Sequence, residues 1–239
     1  HPLGPRTSAA FPVLLKPCRD PAEQNKYLTA QLRDYHAQGY AYEQMAILFR
    51  TNLGIRFVMD ALMKGGIPFH MKDAIPNLFA HWISLDIIAY LRLVSGTGNT
   101  RANWLRIMNR PNRYIKREAL APFTSDISVA QLKAYYQDKD WMLERLDRLE
   151  YDLSIMKRMS PYAAIHYLSN AMKYQDYLKD YAKEHHINEQ ELLDVLNAVH
   201  ESSQSCRTFA EWFTYIDTYT EELQKQAKSP ASNDANNES

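Results

Sequence analysis

The feature that most constrains the fold is a change of pattern near residue 82 of this 239-residue chain. Before it, the short apolar runs FPVLL, MAILF and IPFHM alternate with two helical patterns. A strand–helix–strand–helix–strand order with short connections is typical of a parallel sheet covered by helices. After it, the sequence carries helical periodicity only. We therefore expect an α+β, mostly α chain, with a partial α/β unit at residues 1–80 and an all-helical domain at residues 81–226.

Local signals mark where several helices of the second part begin. Ser160-Pro161 is a strong helix start, since proline is favoured at the first helical position. Asn188 and Thr208 each precede a glutamate by three residues, which is the spacing of a capping box. The longest helix is expected at about residues 140–159, with an apolar stripe that packs in the core. The stripe consists of Met142, Leu146, Leu149, Leu153 and Met156.

Composition restricts the class of protein. No apolar run approaches the roughly 18 residues that span a bilayer, and the N-terminus lacks the pattern of a secretory signal. Two cysteines without metal-type spacing fit free thiols in a reducing cytoplasm. We therefore expect a cytoplasmic protein with no membrane partner. The polar residues 227–239 are expected to be disordered.

Charge is uneven along the chain, although the formal net charge is zero. Residues 80–121 carry seven Lys and Arg against two Asp and Glu, whereas residues 122–239 carry twelve against twenty. The middle segment is therefore a cationic island, which suits an anionic partner. The alternative is an ordinary solvated helix surface.

Three polar side chains, Arg50, Thr51 and Asn52, follow directly on the apolar run MAILF. At the carboxyl end of a parallel strand, such residues are well placed to bind a ligand. Arginine offers a charged fork, threonine a hydroxyl, and asparagine both donors and an acceptor, which together suit a phosphodiester backbone. The alternative is a structural salt bridge of Arg50 and a helix cap at Asn52, and the spacing alone favours neither.

The stretch MAILFRTNLGIRFVMDALMKGGIPF resembles the UvrD/Rep/PcrA branch of superfamily 1 helicases, whose second RecA-like lobe carries a strand ending in Arg-Thr/Ser-Asn. Arg50, Asn52 and Arg56 match positions of that motif. DIIAYLRLV followed by LRIMNRPNR is similar to the entry into the family's helical insertion domain. The resemblance implies that Arg50, Thr51, Asn52 and Arg56 contact the backbone of single-stranded DNA during ATP-driven stepping. DNA repair is among the processes that it implies.

The sequence departs from the family where a Gly-Ile-Gly turn is expected to grip duplex phosphates, because Tyr114-Ile115-Lys116 stand there. Basic side chains around this turn are candidates for contact with duplex DNA at a single-strand/duplex junction instead. They are Arg110, Arg113, Lys116 and Arg117. The alternative is a basic, solvated helix start.

No G-x-x-x-x-G-K-[S/T] phosphate loop occurs in the chain, so we expect no cofactor, no metal ion and no ATP hydrolysis in this fragment. The resemblance implies ATP and Mg²⁺ for the full-length protein, with the first motor lobe as a further partner. A second hypothesis is a helical interaction module that docks a protein, with incidental DNA contact. The tyrosines and all four tryptophans are expected to pack mainly in the core.

Overall fold

The computed structural model describes residues 14–49, 52–71, 76–98 and 100–228. The described chain is mostly helical, as the sequence predicts, with ten α-helices, three 3-10 turns and no strand. The α-helices are α1 (Pro21–Ala37), α2 (Asn52–Lys64), α3 (Trp82–Ser95), α4 (Thr100–Ile107), α5 (Val129–Tyr135), α6 (Asp140–Met156), α7 (Pro161–Asn170), α8 (Tyr174–His185), α9 (Glu189–Ser202) and α10 (Phe209–Lys228). The 3-10 turns are Tyr42–Gln44, Leu78–Ala80 and Arg117–Leu120.

The predicted parallel sheet is not seen in the described residues, and the expectation of a partial α/β unit is corrected there. Residues 45–49 and 67–70 have no strand pairing with any described segment. Within 45–49 the odd-numbered side chains are half-buried and the even-numbered ones are exposed, with Leu48 92% exposed. Burial therefore alternates along this segment as it does in a strand, but no described segment pairs with it. A strand needs a partner for its backbone groups, and a parallel sheet needs cover on both faces.

The described residues form two compact units that divide after Met71. We call residues 14–71 the N-terminal unit and residues 76–228 the helical unit. In the N-terminal unit, α1 and α2 pack together around the buried side chains of Val58, Leu62 and Ile67. The partly buried residues that pack on this core are Leu28, Leu32, Tyr42, Ile47, Phe49 and Phe69.

Helix α3 forms the centre of the helical unit, where it contacts α4, α6, α7 and α9. Its residues Ile83, Ile87 and Tyr90 are completely buried. Trp104 of α4 and Trp212 of α10 are also buried, and each indole N–H donates a hydrogen bond, to Ile127 O and to Ser202 Oγ respectively, both at 3.1 Å. Buried aromatic rings with satisfied polar groups make a well-defined core.

The helix starts and the core stripe that the sequence predicts are confirmed, but the longest described helix is α10, with 20 residues, and not α6, with 17. Ser160, Asn188 and Thr208 each accept a hydrogen bond from a backbone N–H two or three residues later, where α7, α9 and α10 begin. Four residues of the stripe are buried and Leu153 is half-buried. None of the described helices combines the length and the apolar character needed to cross a lipid bilayer.

Candidate nucleic-acid interface

The residues predicted to hold single-stranded DNA lie at the start of α2 or just before it. Arg50 and Thr51 are outside the described residues. Asn52 opens α2, and Arg56 follows one turn later in the same helix. Residues four apart lie on one face of a helix, so Asn52 and Arg56 are neighbours along α2. Their side chains are outside the described part, and their contact with DNA stays a prediction.

The first of the predicted duplex-binding residues, Arg110, makes an internal ion pair. Its Nη1 lies 2.8 Å and 3.0 Å from the two carboxylate oxygens of Asp86, which is completely buried in α3. Asp86 also accepts a hydrogen bond from Arg106 Nη1 at 3.1 Å and one from the Tyr174 hydroxyl at 2.9 Å. The carboxylate therefore joins α3, α4, α8 and the chain after α4 through four hydrogen bonds.

Burial dominates the electrostatics of this network. It raises the pKa of the Asp86 carboxyl, while the charge and hydrogen bond of Arg110 act to lower it. The pKa of Tyr174 lies well above its ordinary value because the phenol is buried beside Asp86. A buried carboxylate requires paired cations, so Arg110 and Arg106 serve to neutralise Asp86 inside the helical unit.

Arg113 is also engaged inside the helical unit. Its Nη1 donates to Ile107 O at 3.1 Å and to Pro111 O at 3.2 Å. Its guanidinium carbon lies 5.6 Å from the ring centroid of Tyr90, at the distance of a cation–π contact. Arg113 therefore stabilises the loop after α4 through its Nη1 and through the contact with the Tyr90 ring.

The backbone of the Tyr114-Ile115-Lys116 turn is occupied by internal acceptors. The N–H of Tyr114 donates to Asn112 Oδ1 at 3.0 Å, and that of Ile115 donates to Asn109 Oδ1 at 2.9 Å. The N–H of Lys116 donates to the Tyr136 hydroxyl at 2.7 Å. A turn that binds phosphate must present free N–H groups. This turn presents none of the three, so phosphate binding here depends on side chains.

Lys116 and Arg117 are the two predicted residues whose charge remains available. Both are exposed, and neither forms an ion pair within the part of the chain that the structure describes. The four predicted basic residues thus divide into a structural pair, Arg110 and Arg113, and a surface pair, Lys116 and Arg117, that can reach a phosphate group. In the described residues, no group of three or more His, Cys, Asp or Glu side chains is placed to hold a metal ion.

The sequence prediction missed one surface feature beside this turn. Trp141 was expected in the core, but it is 50% exposed, and Tyr114 is 59% exposed. The guanidinium carbon of Arg145 lies 5.0 Å from the Tyr114 ring centroid and 5.4 Å from that of Trp141. The four-residue spacing of Trp141 and Arg145 in α6 was a visible signal, whereas their approach to Tyr114 is a tertiary contact.

Comparison with known proteins places these features in a family. The family model for the UvrD-like helicase C-terminal domain matches residues 11–237. YjcD of Bacillus subtilis is 24% identical over 180 residues, which are 73% of this chain and 23% of YjcD. The ATP-dependent DNA helicase PcrA of Staphylococcus epidermidis is 26% identical over 164 residues, 67% of this chain and 20% of PcrA. The ATP-dependent DNA helicase Rep of Buchnera aphidicola is 30% identical over 98 residues, 41% of this chain and 15% of Rep. The chain thus spans about a fifth of the length of these relatives.

Proposed function

Since the chain belongs to the UvrD-like helicase C-terminal domain family, we propose that it is the part of an ATP-dependent DNA helicase that holds single-stranded DNA during ATP-driven stepping. In this proposal, residues 1–80 belong to the second RecA-like motor lobe and residues 81–226 form its helical insertion domain. The observation that carries the proposal is the family match over residues 11–237, which includes the Arg50-Thr51-Asn52 motif.

The proposed grip on the single strand uses side chains that bind a sugar-phosphate backbone without reading bases. Arg50 and Arg56 supply positive charge for phosphate oxygens, Thr51 a hydroxyl, and Asn52 an amide. Such contacts tolerate any sequence, which a motor that steps along DNA requires. ATP and Mg²⁺ would bind elsewhere in the whole protein, because this chain has no phosphate loop, and the first motor lobe would complete that site.

The proposed contact with duplex DNA at a junction rests on Lys116 and Arg117. Both side chains are exposed and lie beside a turn whose backbone N–H groups are already hydrogen-bonded. The support for their role is therefore side-chain charge alone. The structural pair, Arg110 and Arg113, would hold the loop in place rather than carry the duplex contact.

Fluorescence anisotropy over a salt series tests the proposal, using a labelled oligo-dT strand and a labelled single-strand/duplex junction. We expect Arg50→Ala to weaken binding to all single strands alike and to reduce the log–log salt slope by about 0.7, the value for one lost phosphate contact. Lys26→Ala, an exposed cation of the N-terminal unit, is the matched control and should leave both quantities unchanged.

The alternative of a helical protein-interaction module predicts the opposite result. In that case Arg50→Ala would bind single strands like the unaltered chain, and the effect would appear in substitutions on the surface of the helical unit. Absence of DNA binding at low salt would also contradict the proposed function.

A further inference from the structure

We infer that Tyr114, Trp141 and Arg145 form a stacking site for a nucleobase at the end of a DNA duplex, next to the phosphate contact of Lys116 and Arg117. We call these three residues the stacking cluster. The inference rests on the proposed function, because it takes DNA as the ligand. It adds a recognition of base faces, which the family comparison and the predicted basic contacts do not assign.

The geometry of the stacking cluster is that of a prepared platform. The guanidinium carbon of Arg145 lies over the rings of both Tyr114 and Trp141, at 5.0 Å and 5.4 Å from their centroids. More than half of Tyr114 and half of Trp141 remain exposed, so each ring keeps surface in contact with water. Large aromatic side chains gain free energy when a flat apolar partner covers them. Unpaired bases stack on aromatic rings and on arginine planes in the same way.

The backbone of Tyr114 supports a functional rather than a structural role. Its φ is +60°, a left-handed conformation that bulky residues rarely adopt. Hydrogen bonds from the N–H groups of Tyr114 and Ile115 to Asn112 and Asn109 keep the turn in this conformation. The ring of Tyr114 points to solvent, so the unfavourable backbone conformation is not offset by burial of the ring. Strain of this kind concentrates at binding sites.

The combination of cations and exposed rings around the stacking cluster favours DNA over an acidic peptide. Lys116 and Arg117 follow Tyr114 directly, and Lys139 lies 6.0 Å from the ring of Tyr136, whose hydroxyl accepts the Lys116 N–H. Carboxylates are interspersed on the same segments, at Glu118, Asp140 and Glu144. These carboxylates repel a phosphate and an acidic side chain alike, so charge does not separate the two ligands. A nucleotide is distinguished by bringing a flat base for the rings as well as a phosphate for the cations.

A junction that carries 2-aminopurine at its terminal base pair tests the inference, because stacking on protein rings quenches the fluorescence of this base. In the unaltered chain we expect quenching on binding. Trp141→Ala should abolish most of the quenching and weaken junction binding by at least about 5-fold, the lower end of the range for loss of one stacking ring. The salt slope should not change, because no phosphate contact is lost.

Tyr114→Gly is a second variant, and it should reduce quenching, since it removes the ring at a left-handed position that glycine adopts without strain. The matched control is Tyr151→Ala, which removes a 63% exposed ring from the same helix, α6, and should bind like the unaltered chain. Lys116→Ala should show the converse behaviour, with a smaller salt slope and retained quenching.

The outcomes separate the two proposals. If Trp141→Ala and Tyr151→Ala bind the junction equally and both quench, the stacking cluster is overturned and the proposed function stands. If the unaltered chain binds no DNA at low salt, both are overturned. Binding of a poly-glutamate peptide that Trp141→Ala abolishes, with unchanged DNA affinity, would reassign the stacking cluster to a protein partner.

Discussion

The N-terminal unit and the helical unit differ in how far each pairs its own backbone groups and buries its own apolar side chains. In the N-terminal unit, Leu14, Leu15 and Leu48 are exposed, and the extended segments have no partner strand among the described residues. In the helical unit, α3 alone contributes four of the largest completely buried side chains, those of Ile83, Ile87, Tyr90 and Leu91. A helix closes its backbone hydrogen bonds within itself, whereas an extended segment needs a neighbour. An apolar segment therefore still needs a partner strand for its backbone hydrogen bonds when it is extended.

Two spectroscopic probes separate the units. All four tryptophans, Trp82, Trp104, Trp141 and Trp212, lie in the helical unit. Tryptophan fluorescence therefore follows the helical unit alone, while far-ultraviolet circular dichroism follows both. We expect urea unfolding of the N-terminal unit to precede that of the helical unit, so that the two probes disagree. Coincident transitions would contradict the distinction between the units.

The largest expected effect is that of Trp212→Ala. The ring is completely buried against Phe79, and its indole N–H donates to Ser202 Oγ. Deleting a buried tryptophan costs about 3–5 kcal/mol of unfolding free energy. The fluorescence transition should shift to much lower urea. Leu62→Ala, the counterpart in the N-terminal unit, should shift circular dichroism only, and an equal shift in fluorescence would show that the units unfold together.

Asp86→Asn should have the next largest effect. Removing the charge leaves the guanidinium groups of Arg106 and Arg110 without their carboxylate, but these side chains are 36% and 39% exposed and regain water. We expect a loss of about 2–3 kcal/mol, below the range for a completely buried pair. Urea unfolding followed by fluorescence measures it. Asp147→Asn, which removes one partner of Lys133 on the surface of the same helical unit, where Asp147 is 64% exposed, is the control and should change stability by less than about 0.5 kcal/mol.

His81 should make the helical unit sensitive to acid. Its Nδ1 accepts the Ile83 N–H at 3.3 Å as the cap of α3, and burial lowers the pKa of its imidazole. As pH falls below about 6.5, the unfolded chain takes up the proton before the folded one, so folding loses stability down to the lowered pKa. Protonation of Nδ1 removes the acceptor of the cap, worth about 1 kcal/mol, and this loss is part of the same pH dependence.

His81→Asn keeps a capping oxygen and removes the titration, so its stability should vary less between pH 7.5 and pH 5.5. Burial lowers the pKa of His200 as well, and the residual acid sensitivity of the variant is attributed to that residue. An unaltered pH profile in His81→Asn would show that the cap does not respond to protonation.

Leu48→Asp should have the smallest effect. The side chain is 92% exposed, so its replacement leaves the packed face of the N-terminal unit intact, and a change within about 0.5 kcal/mol is expected. A larger loss, measured by circular dichroism in urea, would show that Leu48 is covered in solution. That result would remove the contrast between the two units.

The helices were predictable because their signals are local. Caps at Ser160, Asn188 and Thr208 and the apolar stripe of α6 act over a few residues, and the structure confirms them. The lack of paired strands among the described residues was not predictable from MAILF and IPFHM, because apolar runs of this length do not specify whether a partner strand is available. The same limitation applies to Trp141, whose exposure depends on how α6 packs.

The sequence by itself determined where several helices begin and that residues 80–121 are rich in cations, since both depend on neighbouring residues. Only the tertiary structure decided which cations are committed and which are available. Arg110 and Arg117 are chemically identical and seven residues apart, yet Arg110 meets the buried carboxylate of Asp86, and Arg117 stays in water. A charge is bound or free according to what the fold brings within hydrogen-bonding distance.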